Sequence, residues 1–276
     1  MKTSRISGFY NKTLNERMEI VKSFSDLTDE EISLLKSQMD MEIANRMIEN
    51  VVYLNDVPVG IATNFLINGK EYLIPMAIEE PSVVAAASNA ARIARAGGGF
   101  RAIATEPLMI GQVQIVNLSD PYSAKFRVLE NKGELIKIAN EQDPVLVSLG
   151  GGCKDVQARV LDSSLGPMVI VHLIVDVRDA MGANAVNTMA EAVAPKLEEI
   201  TGGKVYLRIL SNLATYRIAR AWARFPRNVI GENAVNGIIY AYEFARIDPY
   251  RATTHNKGIM NGIDAVLVAT ANDWRA

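Results

Sequence analysis

Met168-Val169-Ile170-Val171-His172-Leu173-Ile174-Val175, followed by Asp179-Ala180-Met181-Gly182-Ala183-Asn184-Ala185-Val186-Asn187-Thr188-Met189, decides how the middle of this chain folds. The first segment is the longest apolar run in the sequence and, despite His172, reads as a buried strand. The second is a small-residue opening to a helix predicted over Ala180 to Ile200 and stopped by Gly202-Gly203. Val205 to Leu210 follows as another strand. Working backwards, Gly111 to Val116 alternates as a strand, and Ala124 to Asp143 reads as one charged amphipathic helix. Gly150-Gly151-Gly152 is a turn, and Ala158 to Leu161 a strand. The resulting order, β-α-β-β-α-β, is that of a ferredoxin-like plait.

Outside this block the pattern changes to helices around one hairpin. Leu27-Thr28-Asp29-Glu30-Glu31-Ile32 is a helix start, with Thr28 or Asp29 as cap and acids in the first turn. Met41 to Val52 reads as another helix. Pro58 to Ile67, Asn68-Gly69, and Lys70 to Met76 form a hairpin, because Asn-Gly accepts the positive φ of a two-residue turn. Pro81 suits a helix first position, and Ser82 to Arg95 is an Ala-rich helix ended by Gly97-Gly98-Gly99. The chain returns through Ile218 to Trp222 and a helix from Ala234 to Ala245. The fold class expected is α+β: a helix-rich large domain (1–106 and 214–276) with a small domain (107–213) inserted in it, as is tolerated where the termini of the insert lie close together.

Composition sets limits. The 276 residues suffice for one large domain or two smaller ones with real cores. Lys plus Arg number 29 and Asp plus Glu 31, a net charge of −2, so there is no basic excess to bind nucleic acid. A single cysteine, Cys153, cannot form an internal disulfide and fits a reducing cytoplasm. The N-terminus has no apolar signal core, and no stretch approaches the ~20 apolar residues of a membrane span. Cytoplasmic location, no membrane and no metal site are expected.

Three motifs carry chemistry. Glu79-Glu80-Pro81-Ser82 puts two carboxylates before a helix N-terminus, where negative charge is favourable in any protein. Successive residues face opposite ways, so one would point into a cleft; there a dry setting would raise its pKa and suit proton delivery. Asp179 to Asn184 lets a pyrophosphate approach the backbone N–H groups at a positive helix end, although close helix–sheet packing gives the same pattern. It is not the Gly-x-Gly-x-x-Gly fingerprint of a Rossmann fold, which disfavours a generic dehydrogenase. His255-Asn256-Lys257-Gly258-Ile259-Met260-Asn261-Gly262-Ile263-Asp264 places Lys257 in a Gly-flanked turn, and Ala265 to Ala269 reads as a strand leading to Asp273. A strand between two ionisable groups can return both to one cleft, the lysine as electrophilic stabiliser and the aspartate tuning it.

These motifs, with Glu49-Asn50-Val51-Val52, stand in the order and spacing of hydroxymethylglutaryl-CoA reductase, and the chain resembles that family, its soluble class II branch above all, from end to end. The resemblance implies an oxidoreductase of isoprenoid metabolism that interconverts hydroxymethylglutaryl-CoA and mevalonate plus CoA by two hydride transfers, through mevaldyl-CoA and mevaldehyde. Glu80, Lys257 and Asp273 would be catalytic: Lys257 stabilises the oxyanion, Glu80 supplies or accepts the proton, and Asp273 holds Lys257. Ser82 and Arg251 would bind substrate, Arg251 pairing with its free carboxylate in two parallel bonds. Asp143, Asp179, Met181, Gly182, Asn184 and Asn212 would bind the nicotinamide cofactor. Asp143 on the adenine ribose would favour NAD, because a carboxylate repels a 2′-phosphate; NADP stays open. The family's active site lies between subunits, so a homodimer or a larger homo-oligomer is expected. His255 is expected beside Lys257 as an orienting neighbour, and Cys153 and His172 as buried structural residues. Two departures from the family pattern stand out. Ala271 occupies a usual glycine, strained by ~1 kcal/mol if that position needs positive φ. The family also runs on beyond the point matched by Ala276, into a segment with a catalytic histidine that protonates the departing thiolate. The expectation is therefore a truncated chain, and its alternative function is that of a folded, dimerising fragment without turnover.

Overall fold

The computed structural model describes residues 2–276. The chain divides into two compact units, one of Met1–Ala102 with Ala221–Ala276 and one of Ile103–Arg220.

The first unit opens with helices α1 (Leu14–Ser25), α2 (Asp29–Lys36) and α3 (Met41–Met47). Thr13 with Glu16, and Thr28 with Glu31, form reciprocal capping boxes that fix where α1 and α2 begin. The helix predicted to reach Val52 stops at Met47. Ile48 is extended (φ −138°) and Asn50 is left-handed (φ 58°), so a β-branched residue and an asparagine end it. The hairpin is as the sequence predicts: β1 (Val59–Ile67) pairs antiparallel with β2 (Lys70–Ala77), and Asn68 and Gly69 both take positive φ. β1 carries a bulge between Ala62 and Phe65, where Asn64 has φ 71°. α4 (Pro81–Ala96) follows with Pro81 in its first turn, and then β3 (Phe100–Ala104). Gly99 is required between them: φ is +80°, and a Cβ would lie 2.4 Å from the Leu66 carbonyl oxygen.

The second unit holds β4 (Leu108–Val116), α5 (Pro121–Glu130), α6 (Lys132–Asn140), α7 (Pro144–Ser148), β5 (Gly152–Leu161), β6 (Met168–Asp176), α8 (Ala183–Thr201) and β7 (Lys204–Ser211). Its sheet has the order β5-β6-β4-β7, every neighbouring pair antiparallel. The core lies between one sheet face and the helices: Val113, Leu135, Leu173, Met189 and Leu197 are completely buried. The single helix predicted over 124–143 is two, α5 and α6, and a short third, α7, follows them. Asn131 breaks it, its side chain donating to the Arg127 carbonyl at 2.8 Å while its backbone leaves the helical region (φ −92°, ψ 12°). Asp143, restrained by Pro144, opens the third.

The chain returns to the first unit through β8 (Ala219–Ala223), α9 (Arg227–Ile230), α10 (Glu232–Ile247) and α11 (Pro249–Ala269). The first sheet has the order β2-β1-β3-β8. The turn and strand predicted around Lys257 are absent. From Pro249 to Ala269 the chain is one helix, capped by Asp248, whose carboxylate accepts from Arg251 N at 2.7 Å. Gly258 and Gly262 are internal helical residues, each costing about 1 kcal/mol relative to alanine. Packing against β2 offsets this: Ala265 is buried with Ala62 and Met76, and Val266 packs on the same cluster. Among the described residues no helix is long and apolar enough to cross a membrane.

Candidate active site

β2 runs out at Ala77, and two residues later the chain presents Glu79 and Glu80 before α4. Glu79 is exposed and Glu80 half-buried, so adjacent carboxylates do face different surroundings. α11 lays Lys257 and Asn261, one turn apart, over Glu80. Lys257 Nζ donates to Glu80 Oε2 at 3.0 Å, Asn261 Nδ2 donates to the same oxygen at 3.3 Å, and Ser82 Oγ donates to Oε1 at 3.3 Å. The Glu80 side chain is 40% exposed and the lysine ammonium holds its carboxyl below the usual carboxylate range, first through the hydrogen bond and then through charge. A raised pKa in a dry cleft is therefore not what this structure shows; solvent and a cation at contact distance win over desolvation.

Asp273 is not a partner of Lys257. Its carboxylate accepts from the backbone and side chain of Arg275, at 3.0 and 3.1 Å. His255 does not neighbour Lys257 either, since residues two apart on a helix point to different sides. Its Nδ1 is buried and, among the described residues, unpartnered, as are Arg251 Nε and Asp264 Oδ1. Arg251 sits in the first turn of α11. Asn261 was missed in the sequence because its signal, the fourth residue after a lysine, speaks only if the segment is helical.

Beside Pro81 lies a cavity of about 680 Å³. Arg5, Arg17 and Arg92 line it, together with Phe9, Val84 and Ser88, and none of the three arginines is ion-paired among the described residues. Nothing in the sequence marked this cavity.

In the second unit Gly182 precedes α8 with φ 95°, and a Cβ there would meet Met109 Sδ at 2.6 Å and Val177 at 2.7 Å. The small-residue motif thus answers first to tight packing. It also leaves α8 without a side-chain cap, so its first N–H groups stay available to an anion. Asp179, Met181, Asn184 and Asn212 are exposed. Arg217 donates to the carbonyls of Ala180 and Met181, both at 3.3 Å, and holds that loop in place. Asp143 caps α7, accepting from Leu146 N at 2.9 Å through Oδ1. Cys153 is buried and its thiol pushed up to about 11 by that burial. His172 is only half-buried, its Nε2 at 2.9 Å from Gln112 Nε2, and burial lowers its pKa.

The profile of the hydroxymethylglutaryl-coenzyme A reductase family matches residues 13–276, and the chain belongs to that family. It is 63% identical to the 3-hydroxy-3-methylglutaryl-coenzyme A reductase of Archaeoglobus fulgidus over 99% of its own length, and 34% identical to a probable enzyme of the same name from Borreliella burgdorferi over 98%. The chain spans 63% and 62% of the lengths of those two relatives. Its fold superposes on the class II enzyme of Streptococcus pneumoniae bound to NADPH with a TM-score of 0.91 and 40% identity, covering 98% of this chain and 75% of that one.

Proposed function

We propose that the protein interconverts hydroxymethylglutaryl-CoA and mevalonate plus CoA. The observation that carries this reading is the Lys257–Glu80–Asn261 constellation at the start of α4, beside an arginine-lined cavity. Reducing a thioester and then an aldehyde requires a donor for a carbonyl oxygen as it gains negative charge. The Lys257 ammonium is that donor, acting most strongly when the charge is fully developed. Glu80, ionised beside it, orients the ammonium and takes or returns the proton; Asn261 and Ser82 fix the carboxylate. The unpartnered N–H of Arg251 suits the substrate's free carboxylate. The cavity, apolar along Phe9 and Val84 and rimmed by unpaired guanidiniums, suits the phosphorylated arm of CoA.

A nicotinamide dinucleotide, when bound, supplies hydride. The residues that would hold it are the uncapped start of α8, with Asp179, Met181, Gly182 and Asn184, together with Asn212 and Asp143. Asp143 spends one oxygen on its helix cap, and the other suits a ribose hydroxyl better than a 2′-phosphate, which favours NAD. The NADPH bound to the pneumococcal neighbour is the reason to keep NADP as a second reading. A homodimer in the cytoplasm completes the proposal: α10 has no buried residue and exposes Ile238, Ile239, Tyr240 and Phe244, more apolar surface than a monomer ordinarily leaves uncovered.

The test is to mix the protein with hydroxymethylglutaryl-CoA and NADH or NADPH, following cofactor oxidation and release of free thiol together. Two cofactor molecules oxidised per thiol released supports the reading. Cofactor oxidation without thiol release, or neither, would overturn it.

A further inference from the structure

The segment preceding α1 is fastened to the hairpin by a buried polar clamp. Ser4 is 0% exposed. Its N–H donates to Glu71 Oε2 at 2.9 Å and its carbonyl accepts from Asn64 N at 2.8 Å, inside the β1 bulge. Its hydroxyl lies 2.5 Å from the same Glu71 oxygen and 2.9 Å from the Phe65 carbonyl. Arg95, in the last turn of α4, grips both Glu71 oxygens in a two-pronged pair and also donates to the Asn64 carbonyl at 3.4 Å. Both side chains of that pair are about four-fifths buried, being 21% and 20% exposed. Directly after Ser4, residues Arg5 to Tyr10 form one wall of the cavity, facing Pro81, Val84 and Arg92 of α4. Arg17 fastens the far end of this strap by donating to the carbonyls of Tyr10 and Lys12. Beyond these two fastenings the strap is short of support: it contains one three-residue 3-10 turn and no buried residue after Ser4.

We propose that Glu71 is a positioning residue for the cavity: it holds Ser4, and through Ser4 fixes the Arg5–Tyr10 strap as a preformed wall on which the tightness of CoA binding depends. The proposal rests on reading the cavity as the CoA site. Glu71 touches no substrate. It acts by removing the cost of ordering the strap at each binding event. The network also explains why an acid sits at a part-buried position of β2 and why Arg95 reaches across to the hairpin. Without Glu71 the guanidinium would lose its partner, and Ser4 N–H would be buried without an acceptor.

The experiment titrates free coenzyme A into the wild-type protein and into Glu71→Gln, Glu71→Asp and Ser4→Ala by calorimetry, with amide exchange followed in residues 5–10. Glu71→Gln and Ser4→Ala should each weaken CoA roughly tenfold and speed exchange in the strap; in Ser4→Ala, which leaves the Glu71–Arg95 pair in place, the β1–β2 hairpin should keep its protection. Glu71→Asp, which keeps the charge, should recover part of the affinity. Should Glu71→Gln fail to fold, Ser4→Ala decides alone, since it leaves the Glu71–Arg95 pair in place. Wild-type affinity in a variant whose strap exchanges faster would overturn the proposal and leave the CoA reading standing. No binding of CoA by the wild-type protein would overturn both.

Discussion

Replacing Ala271 with glycine should stabilise the end of α11. Ala271 has φ 56°, in the left-handed region that the sequence raised as a question. Two bonds fix it there: Asn272 N–H donates to the Leu267 carbonyl at 2.8 Å and Ala271 N–H to the Val268 carbonyl at 3.1 Å. This is the six-to-one and five-to-two pairing with which helices end on a left-handed residue, usually glycine. A Cβ in that conformation costs about 1–2 kcal/mol. Glycine removes the cost but adds about 0.5–1 kcal/mol of unfolded-chain entropy. Taking the middle of each range, the net gain is about 0.75 kcal/mol. If the last turn opens with the rest of the protein, Tm rises roughly 1–4 °C, given about 2–4 °C per kcal/mol in a chain of this size. If it opens by itself, the gain reads instead as roughly two- to fivefold slower exchange of the Asn272 amide. The reasoning is refuted if Ala271→Gly leaves both Tm and that amide's protection unchanged, because the left-handed alanine would then carry no strain.

Further outcomes follow from other positions. Glu71 is held near a pKa of about 2 by Arg95 and Ser4, against 4.5 ordinarily, so its contribution is fully present above 4.5 and disappears as pH falls through about 2. Chemical denaturation of wild type and Glu71→Gln should differ by on the order of 2–3 kcal/mol at neutral pH, narrowing across that acid window; a pH-independent gap would show that the charge is not what matters. Asp143→Ala should cost about 1 kcal/mol through the lost α7 cap and should narrow the preference for NAD over NADP, measured as kcat/KM for each. An NADP preference in the unmutated protein would contradict the ribose role. Gly182→Ala places a Cβ 2.6 Å from Met109 Sδ at positive φ, and denaturation should show a loss of at least about 2 kcal/mol; a neutral result would mean the loop shifts freely.

Local chemistry explains what the sequence disclosed and what it hid. Asn68-Gly69 and Pro81 act through their own backbone and Thr28 through a side chain that caps only three residues on, and the hairpin, the start of α4 and the start of α2 lie where those residues predict. The alternation from Gly111 to Val116 and the apolar run from Met168 to Val175 were legible because those strands are buried in a continuous core. The break at Asn131 was not, because it depends on one side chain competing for one carbonyl. The segment around Lys257 misled for a physical reason. Gly258 and Gly262 signal a turn locally, and only burial of Ala265 against β1 and β2 makes the segment a helix. Reading it as a turn concealed Asn261 and put His255 on the wrong side. Pairing Lys257 with Asp273 failed likewise: the two carboxylates in reach of the argument, Glu80 and Asp273, were chosen between by tertiary packing. The arginine-lined cavity draws on residues 5 to 92 and has no local signature.

Steady-state kinetics of Lys257→Ala with hydroxymethylglutaryl-CoA and reduced nicotinamide cofactor test the central claim most directly. Lys257 is the cation facing the carboxylate of Glu80 and the proposed donor to the carbonyl oxygen as it becomes charged. The variant should lose kcat by about 10²–10³-fold while KM changes no more than a few-fold, because the interaction is realised in the transition state. Glu80 stays exposed to solvent in that variant, so circular dichroism should remain that of the wild type. A folded Lys257→Ala protein with near-normal kcat would contradict the account, and the site built on α4 and α11 would then not be where the chemistry occurs.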